Sequence, residues 1–221
     1  MKIVNSFLIL FILVLGCSEK KPEGQTSTSV KLDPVQAKQH YDAGRKFQSE
    51  ALAGKLDLME KALAEFNSAI QLDPNQVDYY FARGVSYREK QAWDQALADF
   101  EKTIAMDPKH FKGVYNLGRV WDEKGNTDKA LEYYQKAALV KPDLAPAYYS
   151  MGLMYGKKGM MEQEGEAFKK AIKLDGTVVE AHYNLGLWYI KKGQSAEAKK
   201  ELEALEHLES AYADRLRAML R

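Results

Sequence analysis

Of the side chains that most often carry chemistry, this 221-residue chain has four histidines, His40, His110, His182 and His207, and one cysteine, Cys17. Histidine serves as a metal ligand or a proton carrier, and either use needs partners at fixed spacing, such as a second histidine one helical turn away. No two of these histidines stand at such a spacing. A single thiol can form neither an intramolecular disulfide nor a thiolate metal site. A serine elbow, a phosphate-binding glycine loop and a carboxylate pair suited to acid–base work are also missing from the sequence. The expectation is therefore recognition rather than catalysis, with no catalytic residue, metal or cofactor. Lys plus Arg (32) and Asp plus Glu (31) nearly cancel, so the chain lacks the broad positive field that a nucleic-acid partner requires.

The elements that must build a recognition surface are announced by glycines. Gly84, Gly118, Gly152 and Gly186 stand 34 residues apart, each in a helical context such as Tyr115-Asn116-Leu117-Gly118. Twelve residues after a glycine an alanine recurs, at Ala96, Ala130 and Ala198, and sixteen after it an aromatic or leucine, at Phe100, Tyr134, Phe168 and Leu202. Asp73-Pro74, Asp107-Pro108 and Lys141-Pro142 keep the same step, and a residue before proline is driven out of the helical region. Self-similarity at this period marks a repeat architecture in which each unit buries its apolar face against its neighbours.

These small-residue, aromatic and proline positions resemble the tetratricopeptide repeat, in five tandem copies over about residues 35 to 208. The resemblance implies an all-α fold, a right-handed superhelix (an α-α solenoid) of five helix-turn-helix repeats. Their expected limits are 35–76, 77–110, 111–144, 145–178 and 179–209, and a capping helix is expected over 210–221. Leu216 and Met219 would continue the apolar positions of a truncated sixth unit, with Ser210 as its N-cap.

The N-terminus reads as an address. Lys2 precedes an apolar run, Phe7 to Leu15, of the length of a secretory signal core rather than of a membrane span. Its ending, Val14-Leu15-Gly16-Cys17, resembles the bacterial lipobox. That resemblance implies a signal peptide over 1–16 and Cys17 as the lipidated first residue of the mature chain; a plain signal peptide or a weak anchor with an incidental cysteine is the alternative. Residues 17–34 then form a polar linker, with Pro22 and Gly24 and no apolar period. Ser18 stands where an inner-membrane retention signal would have aspartate, which implies the periplasmic face of the outer membrane in a two-membrane host.

Three places depart from the repeat pattern. Repeat one carries six extra residues around Ser49 to Met59, read as a surface insertion in which Leu52, Leu56 and Met59 could prolong a helix that Gly54 interrupts. Arg83 replaces the family's usual leucine, so its stem is expected over apolar neighbours with its guanidinium in solvent. In repeat four Glu164 falls where alanine is expected and Gly165 where a large aliphatic is usual, so the start of that helix is expected to fray or shift, as a hinge or as tolerated drift.

In the tetratricopeptide family the first helix of each repeat lines the inner surface. The residue three before each glycine, which the resemblance places there, is aromatic in all five units: Tyr41, Phe81, Tyr115, Tyr149 and Tyr183. Binding and packing are both open to these rings. Tyr149, Leu153, Tyr183, Leu187 and Ile190 are expected to form an apolar anchor site, with Lys112 and Arg119 orienting the bound segment, unless the capping helix covers them. The two-carboxylate clamp of some family members is not reproduced, because Tyr41 and Arg45 stand where it would want lysine and asparagine. The implied function is a scaffold that binds protein partners of the cell envelope, held at the membrane by its lipid and similar to lipoproteins of pilus, secretin or secretion machinery. A homo-oligomer, a carrier of small apolar ligands and an adaptor for a peptidoglycan or exopolysaccharide enzyme stay open as alternatives.

Overall fold

Proline and aspartate end the helices, glycine turns them, and paired apolar faces hold them together. The computed structural model describes residues 32–55 and 57–221; the signal segment, Cys17, the linker up to residue 31 and Leu56 lie outside the described residues. The described chain is all-helical: α1 Pro34–Leu52, α2 Leu58–Leu72, α3 Val77–Glu89, α4 Trp93–Met106, α5 Phe111–Glu123, α6 Thr127–Val140, α7 Ala145–Lys157, α8 Met161–Leu174, α9 Val179–Lys191, α10 Ser195–His207 and α11 Tyr212–Met219. Odd-numbered helices up to α9 are the first (A) and even-numbered ones the second (B) of each pair. Side chains close several N-termini: Asp33 accepts from the N–H of Gln36, Asn126 from that of Lys129, and the His110 ring from that of Gly113. Between A and B helices the chain turns through the left-handed region at Gly125, Gly159 and Gly193, with φ of 78°, 69° and 72°, while Gln91 takes the same place at 59°.

Within a repeat the A helix lays a glycine against a B-helix ring. A Cβ added to Gly44 would come within 2.7 Å of Phe66, one on Gly84 within 2.9 Å of Phe100, one on Gly118 within 2.6 Å of Tyr134 and one on Gly152 within 2.5 Å of Phe168. In repeat five the B helix offers only Leu202 there, and Leu216 of the last helix, fully buried, fills the place over Gly186 instead.

The A helices of the first three repeats touch, α1 with α3 and α3 with α5, whereas no contact of that extent joins successive B helices among the described residues. The A helices therefore form the inner side of this part of the stack. Side chains tie this inner side from one A helix to the next. The Gln48 amide donates to the Ala82 carbonyl at 2.9 Å and to Ser86 Oγ at 2.8 Å, Arg88 donates to Asn116, and the Tyr115 hydroxyl bonds Ser150 Oγ at 3.2 Å. Along one edge a second series keeps the repeat step, pairing the lysine that ends each A helix with an acid in the first turn of the preceding B helix. Its members are Lys90 with Glu60, Lys124 with Asp94, Lys158 with Asp128 and Lys192 with Glu162. Each pair also satisfies two helix dipoles, although water leaves it little net stability.

Several expectations need correction. The fourth B helix neither frays nor shifts: α8 has the same 14 residues as α4 and α6. Gly165 is buried beneath the next repeat's Trp188, whose ring a Cβ there would meet at 2.5 Å, and the indole N–H donates to the Met161 carbonyl at 2.7 Å. The corresponding pairs one and two repeats earlier are Leu131 with Met154 and Leu97 with Val120, so a small residue and a large one have exchanged sides of one contact. Arg83 does not snorkel to solvent; its guanidinium forks onto Asp99 at 2.8 and 2.7 Å and reaches Asn67 at 2.6 Å. The final helix starts at Tyr212 rather than Ser210, whose Oγ accepts from the Tyr212 N–H at 3.2 Å, and Met219 is exposed while Leu216 is buried. In repeat one α1 runs on to an exposed Leu52, the chain turns at Gly54 with φ of 111°, and Met59 is buried.

Two outcomes follow for denaturant unfolding of the full chain. Gly165→Leu alone should destabilise by about 1–3 kcal/mol and Trp188→Met alone by about 2–4 kcal/mol, with the double variant at least about 1 kcal/mol better than their sum. Leu216→Ala, which empties the space over Gly186, should cost about 2–4 kcal/mol.

Candidate recognition groove

The A helices present one residue per turn to the inner surface, and the repeat step lines these residues up. The five aromatics of the expected ladder, Tyr41, Phe81, Tyr115, Tyr149 and Tyr183, are all half-buried, and each leans on another ring. Tyr41 meets Phe66, Phe81 meets Phe100 and Tyr149 meets Phe168, each at 5.9 Å between centroids, and Tyr115 meets Tyr134 at 5.4 Å. Tyr183 has no ring in its own B helix and packs on Tyr212 of α11 at 4.7 Å. The hydroxyls are engaged as well: Tyr115 bonds Ser150, and Asn184 donates to the Tyr149 hydroxyl at 3.4 Å. Burial holds the Tyr149 phenol above its usual pKa, with Glu180 adding to the shift, so it remains a neutral donor and acceptor. Packing is thus a use that every ring of the ladder has.

The proposed anchor residues fall into two groups. Tyr149 and Leu153 pack with Phe168, Leu185 and Trp188, whereas Tyr183, Leu187 and Ile190 pack with Leu205, Ala213 and Leu216 and so lie against the capping helix. Lys112 is exposed at the start of α5, and Arg119, half-buried two turns on, pairs with Glu123 at 3.5 Å. The residue after each ladder glycine reads Arg45, Val85, Arg119, Leu153 and Leu187 along the stack, so both arginines fall in the first three repeats and the last two are apolar.

One inner-surface residue is absent from the expectations. The carboxylate of Glu164 reaches back across α7 and occupies the space that Gly156 leaves empty, with Oε1 at 2.7 Å from where a Cβ of residue 156 would sit. Among the described residues it takes no hydrogen bond and forms no ion pair. Burial pushes its pKa above the usual carboxylate range, opposed by Lys191 at longer range. The signal was present in the sequence as two unusual residues eight apart, a glycine where other repeats carry Gln48, Arg88, Asp122 or Ile190, and a glutamate where they carry alanine.

This architecture, paired helices in series around an inner groove, defines a helical-repeat binding protein. Four models of the tetratricopeptide repeat match the chain, over residues 59–90, 81–149, 145–177 and 167–200, so these residues are tetratricopeptide repeats. No curated protein matches the chain. Among solved structures, it is similar to MamA from Desulfovibrio magneticus (24% identity, TM-score 0.66, covering 79% of this chain and 95% of that one). It is also similar to PilF of Pseudomonas aeruginosa (17%, TM-score 0.68, 78% of each chain). A third, YrrB, is described as a TPR protein with an unusual peptide-binding site (22%, TM-score 0.61, 84% of this chain and 92% of that one). At these identities the likeness concerns the fold.

Three of the histidines have structural partners. His110 caps α5, His40 Nδ1 meets Glu65 at 2.6 Å, and His182 is held twice, by Glu201 at 2.6 Å from Nδ1 and by the Gly176 carbonyl at 3.1 Å from Nε2. Both partners of His182 can only accept, so the pair of bonds is complete only when both ring nitrogens carry hydrogen. The Glu201 hydrogen bond accordingly raises its pKa above 6.5, against the opposing effect of burial and with help from Gly176. A raised pKa in the folded state gives stability that is fully present below about pH 6.5 and is lost as pH rises through the folded value. The melting temperature should therefore fall between pH 6 and pH 9, and His182→Gln should flatten that part of the profile.

Proposed function

We propose that this chain is a lipid-anchored scaffold of the bacterial envelope, attached through Cys17 to the periplasmic face of the outer membrane, whose inner groove holds a segment of a partner protein during assembly of an envelope complex of the pilus, secretin or secretion type. The observation that carries the binding part is the row of A-helix side chains that the repeat step lines up, with both arginines in the first three repeats and leucines in the last two. Such surfaces are the extended binding faces of repeat proteins. The peptide-binding site named for YrrB supports the same use of this fold, and the likeness to PilF fits an envelope setting. The apolar run ending in Gly16-Cys17 supports export and lipidation, since two or more acyl chains at one cysteine are needed for stable attachment. Tyr149, Leu153 and the exposed edges of Tyr41, Phe81 and Tyr115 supply apolar contact, while Lys112 and Arg119 set the direction of the segment.

Full-length chain expressed in a two-membrane bacterium should incorporate an alkyne-labelled palmitate and sediment with outer membranes, and Cys17→Ser should lose both properties. Soluble wild-type protein would end the anchoring half of the reading. A photo-crosslinker at position 153 should give a discrete adduct that one at Leu139, on the exposed face of α6, does not. Adducts at 139 alone would end the groove half.

A further inference from the structure

The fourth repeat displays a carboxylate where every other repeat displays the side chain of its own A helix. Gly156 removes that side chain, and the carboxylate of Glu164, from the B helix, fills the space a Cβ there would take. The carboxylate is half-buried yet has no bond from any described donor. The lysines that follow Gly156 on the chain, Lys157 and Lys158, pair with Asp122 and Asp128 instead. Lys191 acts on it through space without pairing. A partly desolvated anion without a partner is unfavourable, and its raised pKa reports that cost. Leu153 stands one turn before Gly156 on α7, in the apolar cluster of Phe168 and Trp188.

We propose that Glu164, seated over Gly156, is the recognition point for a lysine or arginine side chain of the segment bound in the groove, with Leu153 contacting an apolar residue beside it. The cation completes the missing pair, and charge complementarity of this kind makes a recognition surface selective. The assignment rests on the groove reading above and specifies the partner's chemistry.

The test uses full-length protein in detergent and pools of acetylated, amidated dodecapeptides in which one central position is fixed to each amino acid in turn and a leucine is fixed three residues away, read by fluorescence anisotropy. Wild-type protein should bind the lysine and arginine pools about fivefold more tightly than the glutamine pool, as expected for a partly buried charge-assisted contact. Glu164→Gln should abolish that difference while the affinity for the glutamine pool is kept, and its melting temperature should equal or exceed that of wild type, because a partly desolvated charge without a partner is removed. Gly156→Ala, which crowds the carboxylate, should also weaken the preference. Peptide binding with no basic preference, or a preference that survives Glu164→Gln, overturns the assignment and leaves the groove reading intact. No binding by any pool overturns both.

Discussion

The contact on which the rest of the molecule depends is the one between a glycine of an A helix and a ring of its B helix. With no Cβ at Gly44, Gly84, Gly118 or Gly152, the faces of Phe66, Phe100, Tyr134 and Phe168 rest directly on backbone. That fixes how closely the two helices of a repeat can lie, and any side chain there would force them apart. The same four rings then support the aromatic one turn earlier on the A helix, at 5.4 to 5.9 Å. The half-buried aromatics of the inner surface are thus a second layer laid on the crossing, and only their outer edges face the groove. Where the ring is lost, in repeat five, the capping helix supplies both parts: Leu216 covers Gly186 and Tyr212 supports Tyr183.

Much of this was legible in the sequence because the crossing is local and periodic. Glycine, alanine, aromatic and proline recur at one step, and each has a separate physical reason to be where it is. What escaped was of another kind. Glu164 and Gly165 look like defects when each is compared only with its own column of the repeat, since their compensation lies on other helices, at Gly156 and at Trp188 of the next unit. Arg83 looked like an exposed substitute for leucine because Asp99, sixteen residues on, had no visible claim on it. The lysine–acid series along the edge was fully periodic and could have been read from Lys90, Lys124, Lys158 and Lys192 alone. Met219 followed the apolar period, but the last helix ends before a partner reaches it.

The groove itself was partly legible. The repeat step lines up the helix A residues, and the order of their side chains is read directly from the sequence. Sequence periodicity could not say how far α11 would lie over that surface, since a cap has no repeat to follow. It settles against α9 and draws Tyr183, Leu187 and Ile190 into a cluster with Leu205, Ala213 and Leu216. Tyr149 and Leu153 belong instead to the cluster of Phe168 and Trp188, beside the notch at Gly156. The surface around repeat four therefore combines apolar contact with a carboxylate that has no internal partner.

Arrays of similar units are commonly imagined as interchangeable modules, each able to be copied, lost or exchanged. The Gly165–Trp188 contact removes that freedom at one joint. A copy of the third unit inserted in place of the fourth would set a leucine, the residue at position 131, beneath the indole, and a copy of the fourth in place of the third would leave Met154 facing a hole. The fourth and fifth units are matched to each other in the size of this contact. Their boundary is as much a part of the molecule's identity as any single helix, and it stands beside the part of the groove where Glu164 waits for a charge.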